Sequence, residues 1–227
     1  MNSPCITFND STIEAVIFDM DGTIVPNRDY HMLAWRRLCD EEGIKATNDE
    51  LLATFGSTNR EIFGKMMNRK INEKELDRLA ARKESLYRES YLGHVKATKG
   101  LPAFLDSLRQ LGIPLALATS APTENVEFTL AESHLKPYFQ IVIDASGISK
   151  SKPDPEIFQK TALHLNIHPN RCLVFEDAPM GIQAALSAGM NVLALTTTFS
   201  PDQLPSGVPQ VEDFSSLRLQ NSELIIK

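Results

Sequence analysis

Five short apolar runs recur along the chain: IEAVIF (13–18), PLALA (114–118), QIVI (140–143), CLVF (172–175) and NVLAL (191–195). Near-continuous hydrophobicity over so few residues predicts strands buried on both faces, as in a parallel sheet; alternation would mark a strand with one wet face. From residue 100 onward these runs alternate with amphipathic segments: LPAFLDSLRQLG (101–112), TENVEFTLAESHL (123–135), DPEIFQKTALHLN (154–166) and MGIQAALSAG (180–189). Gly112 and Gly189 close their helical stretches, and Asp154-Pro155 reads as an N-cap followed by proline at the first helical position. Strand and helix in alternation predict an α/β fold with a doubly wound parallel sheet.

Residues 30 to 95 break that rhythm. YHMLAWRRLCDEEG (30–43), DELLATFG (49–56), REIFGKMMN (60–68) and EKELDRLAARKESLYRES (73–90) predict helix after helix and no strand. They insert a small helical bundle after the first strand, leaving near Pro26-Asn27 and returning near Lys96–Gly100. The expected division is an α/β core of residues 1–26 and 97–227 and an inserted α-helical cap of residues 27–96. The stretch from Pro201 onward, rich in Pro, Ser and Gln, carries no chemical signal.

Composition narrows the partners. With 227 residues, 42% hydrophobic and 23% charged, the chain matches an ordinary folded protein. No apolar run approaches the ~20 residues that span a bilayer, and no basic region precedes the first apolar stretch, so a cytoplasmic protein without a signal peptide or a membrane partner is expected. A net charge of −6 and the lack of a Lys/Arg tract argue against nucleic acid. A small phosphorylated metabolite needs only a few well-placed cations in a pocket, and a monomer is expected. Cys5, Cys39 and Cys172, odd in number and widely spaced, argue against disulfides or a cysteine metal cluster; Cys39 and Cys172 read as packing residues.

In open α/β sheets the reacting groups lie beyond the carboxyl ends of the strands. Four such ends carry complementary chemistry. F-D-M-D-G-T (18–23) places Asp19 and Asp21 two residues apart just past a buried strand, and a curl of the chain there, which Gly22 helps, would let both reach one ligand. Paired carboxylates repel unless a cation lies between them or one keeps a proton, which suggests Mg²⁺ at Asp19 and a proton-carrying role for Asp21; a solvated turn is the bland alternative. A-T-S-A (118–121) offers the hydroxyls of Thr119 and Ser120, either as phosphate donors or as a simple helix cap. S-K-P-D-P (151–155) offers Lys152, either to neutralise a phosphoryl group or as a surface charge. V-F-E-D-A-P-M-G (174–181) ends a strand in Glu176 and Asp177, which must bind a cation or reach solvent.

In this order the four strand ends resemble the motifs of the haloacid-dehalogenase superfamily, over roughly residues 13 to 200, and within it the β-phosphoglucomutase-like branch with a helical cap after the first strand. The resemblance implies a Rossmann-like core and a Mg²⁺-dependent phosphoryl transfer through an aspartyl-phosphate. It implies that Asp19 attacks phosphorus and that Asp21 serves as general acid, then base. Asp19, Glu176, Asp177 and the main-chain carbonyl of Asp21 would hold Mg²⁺, while Thr119, Ser120 and Lys152 would bind the phosphoryl oxygens. Three cap residues are similar in position to sugar-phosphate contacts of that branch: His31 in Y-H-M-L-A-W, Arg60 in F-G-S-T-N-R-E and Lys83 in L-A-A-R-K-E-S-L-Y. Each also has an ordinary alternative: packing for His31, capping for Arg60 and a solvated helix face for Lys83. An arginine fork at 60 would suit a second phosphate, as a mutase requires. Pro26-Asn27 departs from the branch, which often has Asp-Ser or Asp-Thr there, and proline alters the hinge. The leading expectation is a phosphatase for a small phosphorylated metabolite, a sugar phosphate above all. The alternative is a β-phosphoglucomutase interconverting β-glucose 1-phosphate and glucose 6-phosphate, and a non-catalytic phosphoacceptor switch is the remote one.

Overall fold

The computed structural model describes residues 4–52, 57–67 and 71–227. Its main sheet contains β3 (Ala15–Phe18), β4 (Leu115–Ala118), β5 (Ile141–Ile143), β6 (Cys172–Glu176), β7 (Asn191–Leu195) and β8 (Gln210–Val211), in the order β5-β4-β3-β6-β7-β8. Every neighbouring pair is parallel. The chain steps from β3 to β4 on one side and later to β6 on the other, which opens a crevice at the carboxyl end of β3.

Residue alternation sorts the two faces. Val16, Phe18, Leu115, Leu117, Leu173 and Phe175 pack with α5 (Leu101–Gln110) and α6 (Thr123–Glu132). Ala15, Ile17, Ala116, Ala118, Cys172 and Val174 pack with α7 (Glu156–Leu165) and α8 (Pro179–Ser187). β3, β4 and β6 are buried at every residue, as continuous apolar runs predict. β5 differs: it is an edge strand, and Val142 is 40% exposed.

Among the described residues, four helices lie between β3 and residue 95: α1 (Arg28–Glu42), α2 (Asn48–Leu52), α3 (Asn59–Met66) and α4 (Glu73–Tyr91). They enclose a separate apolar cluster around Trp35, Leu38, Phe63, Leu79 and Tyr87. Glu42 and Glu41 near the end of α1 meet Arg78 and Arg82 in the first half of α4, while Tyr30 near the start of α1 packs against Tyr91 at the end of α4, so α1 and α4 run antiparallel. Where the chain returns, Thr98 N–H bonds the Ile24 carbonyl (2.9 Å) and Thr98 Oγ1 bonds the Thr23 carbonyl (2.7 Å), stitching the returning strand of chain to the outgoing one. No helix among the described residues is long and apolar enough to cross a membrane.

Three local expectations change. The run 13–18 is not one strand: Ile13 ends β2 (Ser11–Ile13), which forms a hairpin with β1 (Ile6–Phe8), and β3 begins at Ala15. Helix α7 starts at Glu156 with Pro155 as its N-cap residue; Asp154 Oδ1 still accepts the Glu156 N–H at 3.0 Å, one position earlier than expected. The stretch after Pro201 supplies β8, β9 (Leu217–Gln220) and β10 (Glu223–Ile226), and β10 pairs in parallel with β1 to make a four-stranded second sheet, β2-β1-β10-β9. Both hairpins turn through two residues at positive φ, Asn9-Asp10 (46° and 62°) and Asn221-Ser222 (51° and 61°), the turn geometry that matches strand twist.

Candidate active site

The chain curls sharply just past β3. Asp19 N–H continues the ladder to the Phe175 carbonyl (3.0 Å), then Ile24 N–H bonds back to the Met20 carbonyl (3.0 Å) and Gly22 N–H to the Val25 carbonyl (2.8 Å). Gly22 takes φ +83°, and a Cβ there would sit 2.0 Å from Asp177 Oδ2. Both the conformation and the close approach demand glycine. The curl brings Asp19 and Asp21 to one cavity of about 70 Å³, which also receives Thr119, Ser120, Glu176 and Asp177 from the ends of β4 and β6.

Lys152 is the electrostatic centre. Its Nζ donates to Asp19 Oδ1 (2.5 Å) and Glu176 Oε1 (2.8 Å), and the side chain is 1% exposed. Burial alone would push this ammonium down, but Asp19 and Glu176 outweigh it and hold it above its usual range. Burial pushes Asp19 well up, with Lys152 opposing and Glu176 and Asp177 adding. Burial, then Glu176, pushes Asp177 up to about 8. Glu176 Oε2 accepts the N–H groups of Asp177 and Ala178, both at 2.7 Å, so its two oxygens are engaged by the lysine and the backbone.

Among the described residues, no three His, Cys, Asp or Glu side chains form a ready metal-binding group. The donor chemistry nevertheless fits a hard divalent cation. Three buried carboxylates, Asp19, Glu176 and Asp177, share one buried ammonium, and the open donors are oxygen.

Asp21 faces the start of α1. Its Oδ1 accepts from Asn27 Nδ2 (2.6 Å) and lies 3.4 Å from His31 Nε2. Burial favours its protonated form, but His31 and Asn27 outweigh burial and hold the carboxyl below the usual range. Thr119 Oγ1 accepts the Ala121 N–H (3.1 Å), forming a local turn, whereas the buried Ser120 hydroxyl has no partner among the described residues. An unpaired buried hydroxyl on the cavity wall is a donor waiting for a ligand oxygen.

His31 and Lys83 line the same cavity. His31 stacks on Tyr87 with centroids 3.9 Å apart and meets Lys83 Nζ at 2.9 Å through Nδ1. Lys83 is buried, while its neighbour Arg82 occupies the solvated face with Glu41. Arg60 is not brought to the cavity: its side chain is 63% exposed and binds Glu73 through two nitrogens (2.8 and 2.5 Å). It borders an open groove that Asn59, Ser120 and Pro122 share with the cavity. Sequence reasoning did not single out Trp35, Asn59, Glu84 or Asn125, all lining the cavity, and it read Asn27 only as part of a hinge. No spacing marks these residues; Glu84, an acid directly beside the predicted Lys83, was the one available cue.

A doubly wound core whose strand ends converge on a buried Asp–Lys–Glu cluster, beside helices that line the same cavity, is an enzyme's architecture. The chain belongs to the haloacid dehalogenase-like hydrolases, whose family model matches residues 16–195. A fructose-1-phosphate phosphatase of Escherichia coli is 33% identical, over 78% of this chain and 94% of its own. A β-phosphoglucomutase of Bacillus subtilis is 32% identical, over 78% of this chain and 81% of its own. The crystal structure of a family IA hydrolase from Entamoeba histolytica superposes with a TM-score of 0.83 at 27% identity, covering 92% of this chain and 97% of that one.

Proposed function

We propose that this enzyme is a Mg²⁺-dependent phosphatase acting on a small sugar phosphate through an aspartyl-phosphate on Asp19. The observation that carries the reading is the Asp19 carboxylate, buried at the end of β3 and fixed 2.5 Å from Lys152. In the first step an Asp19 oxygen attacks phosphorus and the ester P–O bond breaks; Asp21, whose protonated form the incoming phosphate's negative charge favours, gives that proton to the departing alkoxide. In the second step Asp21 takes a proton from water, the water oxygen attacks phosphorus, and the Asp19–phosphorus bond breaks to release phosphate. The ionised state that His31 and Asn27 favour at Asp21 suits this base step. Lys152 and the hydroxyl of Ser120 offset charge on the phosphoryl oxygens, and Thr119 fixes the turn that presents Ser120. Asp19, Asp177 and the Asp21 carbonyl, with Glu176 behind them, would hold Mg²⁺, which when bound screens the phosphate from the carboxylates. The helical unit of residues 27–96 acts as a cap over the site, and its His31 and Lys83 contact the substrate. A cytoplasmic setting and monomeric action belong to the same proposal.

A mutase is the second reading, favoured by the similarity to the β-phosphoglucomutase of Bacillus subtilis. Arg60, paired with Glu73 outside the cavity, gives it no second phosphate grip in this arrangement. A panel of phosphate monoesters with β-glucose 1-phosphate, with and without the 1,6-bisphosphate, separates the two when phosphate and glucose 6-phosphate are followed independently. Phosphate release that disappears with EDTA and returns with Mg²⁺ is the expected result; isomerisation without net phosphate release would replace the phosphatase reading.

A further inference from the structure

The cap end of the cavity carries a charged pair of which the reading above uses only the lysine, as a substrate contact. Lys83 and Glu84 are neighbours on α4, 3% and 5% exposed, and both line the cavity. Lys83 Nζ lies 3.0 and 3.2 Å from the two Glu84 oxygens and 5.2 Å from the Trp35 ring centre. Glu84 also accepts from Asn59 Nδ2 (2.7 Å) on α3 and Asn125 Nδ2 (2.6 Å) on α6. Asn125 is oriented in turn by Arg88, whose Nη1 donates to its Oδ1 at 2.7 Å. Each Glu84 oxygen therefore takes two donors, and the carboxylate is fixed from both cap and core.

This pinning has a chemical consequence. The far side of the cavity is already anionic, with Asp19, Asp21, Glu176 and Asp177 set against Lys152. The ammonium at the cap end is cancelled before any ligand arrives. A second phosphate could take Lys83 only by breaking its contact with Glu84, a carboxylate that Asn59 and Asn125 hold in place, and it would add charge to a buried pocket that already holds an excess of carboxylates. Hydroxyl groups meet no such penalty, and Trp35 adds an apolar element to the wall on the Lys83 side.

Resting on the phosphatase reading, we propose that Glu84 determines specificity: by neutralising Lys83 in advance it admits a monophosphate with a hydroxylated distal end and rejects a sugar bisphosphate. The test measures kcat/KM of the wild type and Glu84→Gln for a hexose 6-phosphate and the matching 1,6-bisphosphate, by phosphate release. The wild type is expected to favour the monophosphate by about tenfold or more, and Glu84→Gln, which frees Lys83, to narrow that ratio by about fivefold through a lower KM for the bisphosphate. Equal use of both substrates by the wild type, or a folded Glu84→Gln with the wild-type ratio, overturns the proposal. If Glu84→Gln does not fold, the wild-type ratio decides alone. A wild type that releases phosphate from no ester, p-nitrophenyl phosphate included, overturns the phosphatase reading and this inference with it, a result distinct from an unchanged ratio.

Discussion

Gly181→Ala tests how tightly α8 is pressed against the site. In a helix this change ordinarily stabilises by about 1 kcal/mol, because glycine loses more backbone entropy than alanine. Gly181 lies inside α8, so conformation does not oppose the substitution. Space does: the new Cβ would sit 1.6 Å from Glu176 Oε1 and 2.1 Å from Glu176 Cδ. Glu176 cannot swing aside cheaply, since Lys152 holds one oxygen and two backbone N–H groups hold the other. Losing one charged hydrogen bond removes ~1.5–3 kcal/mol, and residual overpacking removes ~1–3 kcal/mol more. Set against the helical gain, a net loss of about 1.5–5 kcal/mol is expected. Urea denaturation of the two proteins measures it, and the melting temperature should drop by roughly 3–20 °C. In a Glu176→Ala background the same change should become neutral or stabilising, because the clash is gone. A Gly181→Ala protein as stable as the wild type would refute the close approach of helix and carboxylate on which the site's geometry rests.

Lys152→Met leaves Asp19 and Glu176 buried without a counter-charge; stability should fall by ~3–5 kcal/mol and kcat by ~10²–10³, read from denaturation and phosphate release. Asn27→Ala removes the amide that donates to Asp21, so the Asp21 carboxyl should titrate higher and the acid limb of the kcat–pH profile should move to higher pH. An unchanged limb would remove Asn27 from the account of Asp21. Glu156, drawn down from 4.5 to about 2, chiefly by Lys160 and the Ser149 N–H, fastens the loop that leads to Lys152. Its lowered value means a stabilising contribution present above pH 4.5 and lost as pH falls toward about 2; acid titration of Glu156→Gln should show a shallower decline than the wild type over that window.

The chemistry-bearing strand ends were legible because their strands are buried on both faces. A continuous apolar run of four residues that stops at a charge, as Phe18-Asp19 and Phe175-Glu176 do, marks both the strand and its functional end. The terminal sheet was not, since its strands are three or four residues long and half-exposed, and the only cues were the turn pairs Asn9-Asp10 and Asn221-Ser222. The cap pocket was legible at His31 and Lys83 through resemblance alone. Its other walls are set by packing between α3, α4 and α6, which brings Asn59, Glu84 and Asn125 together from positions far apart in the chain. Arg60 shows the same gap from the other side: its residue type suits a phosphate, but its place on α3 turns it outward to Glu73.

The central claim is covalent transfer to one carboxylate. Rapid acid quench of the enzyme turning over a ³²P-labelled sugar phosphate, followed by peptide mapping, addresses it directly. Hydroxylamine-labile label confined to the peptide containing Asp19, and absent from Asp19→Asn, is the predicted result. Phosphate produced with no label on the protein, or with label on another residue, would contradict it.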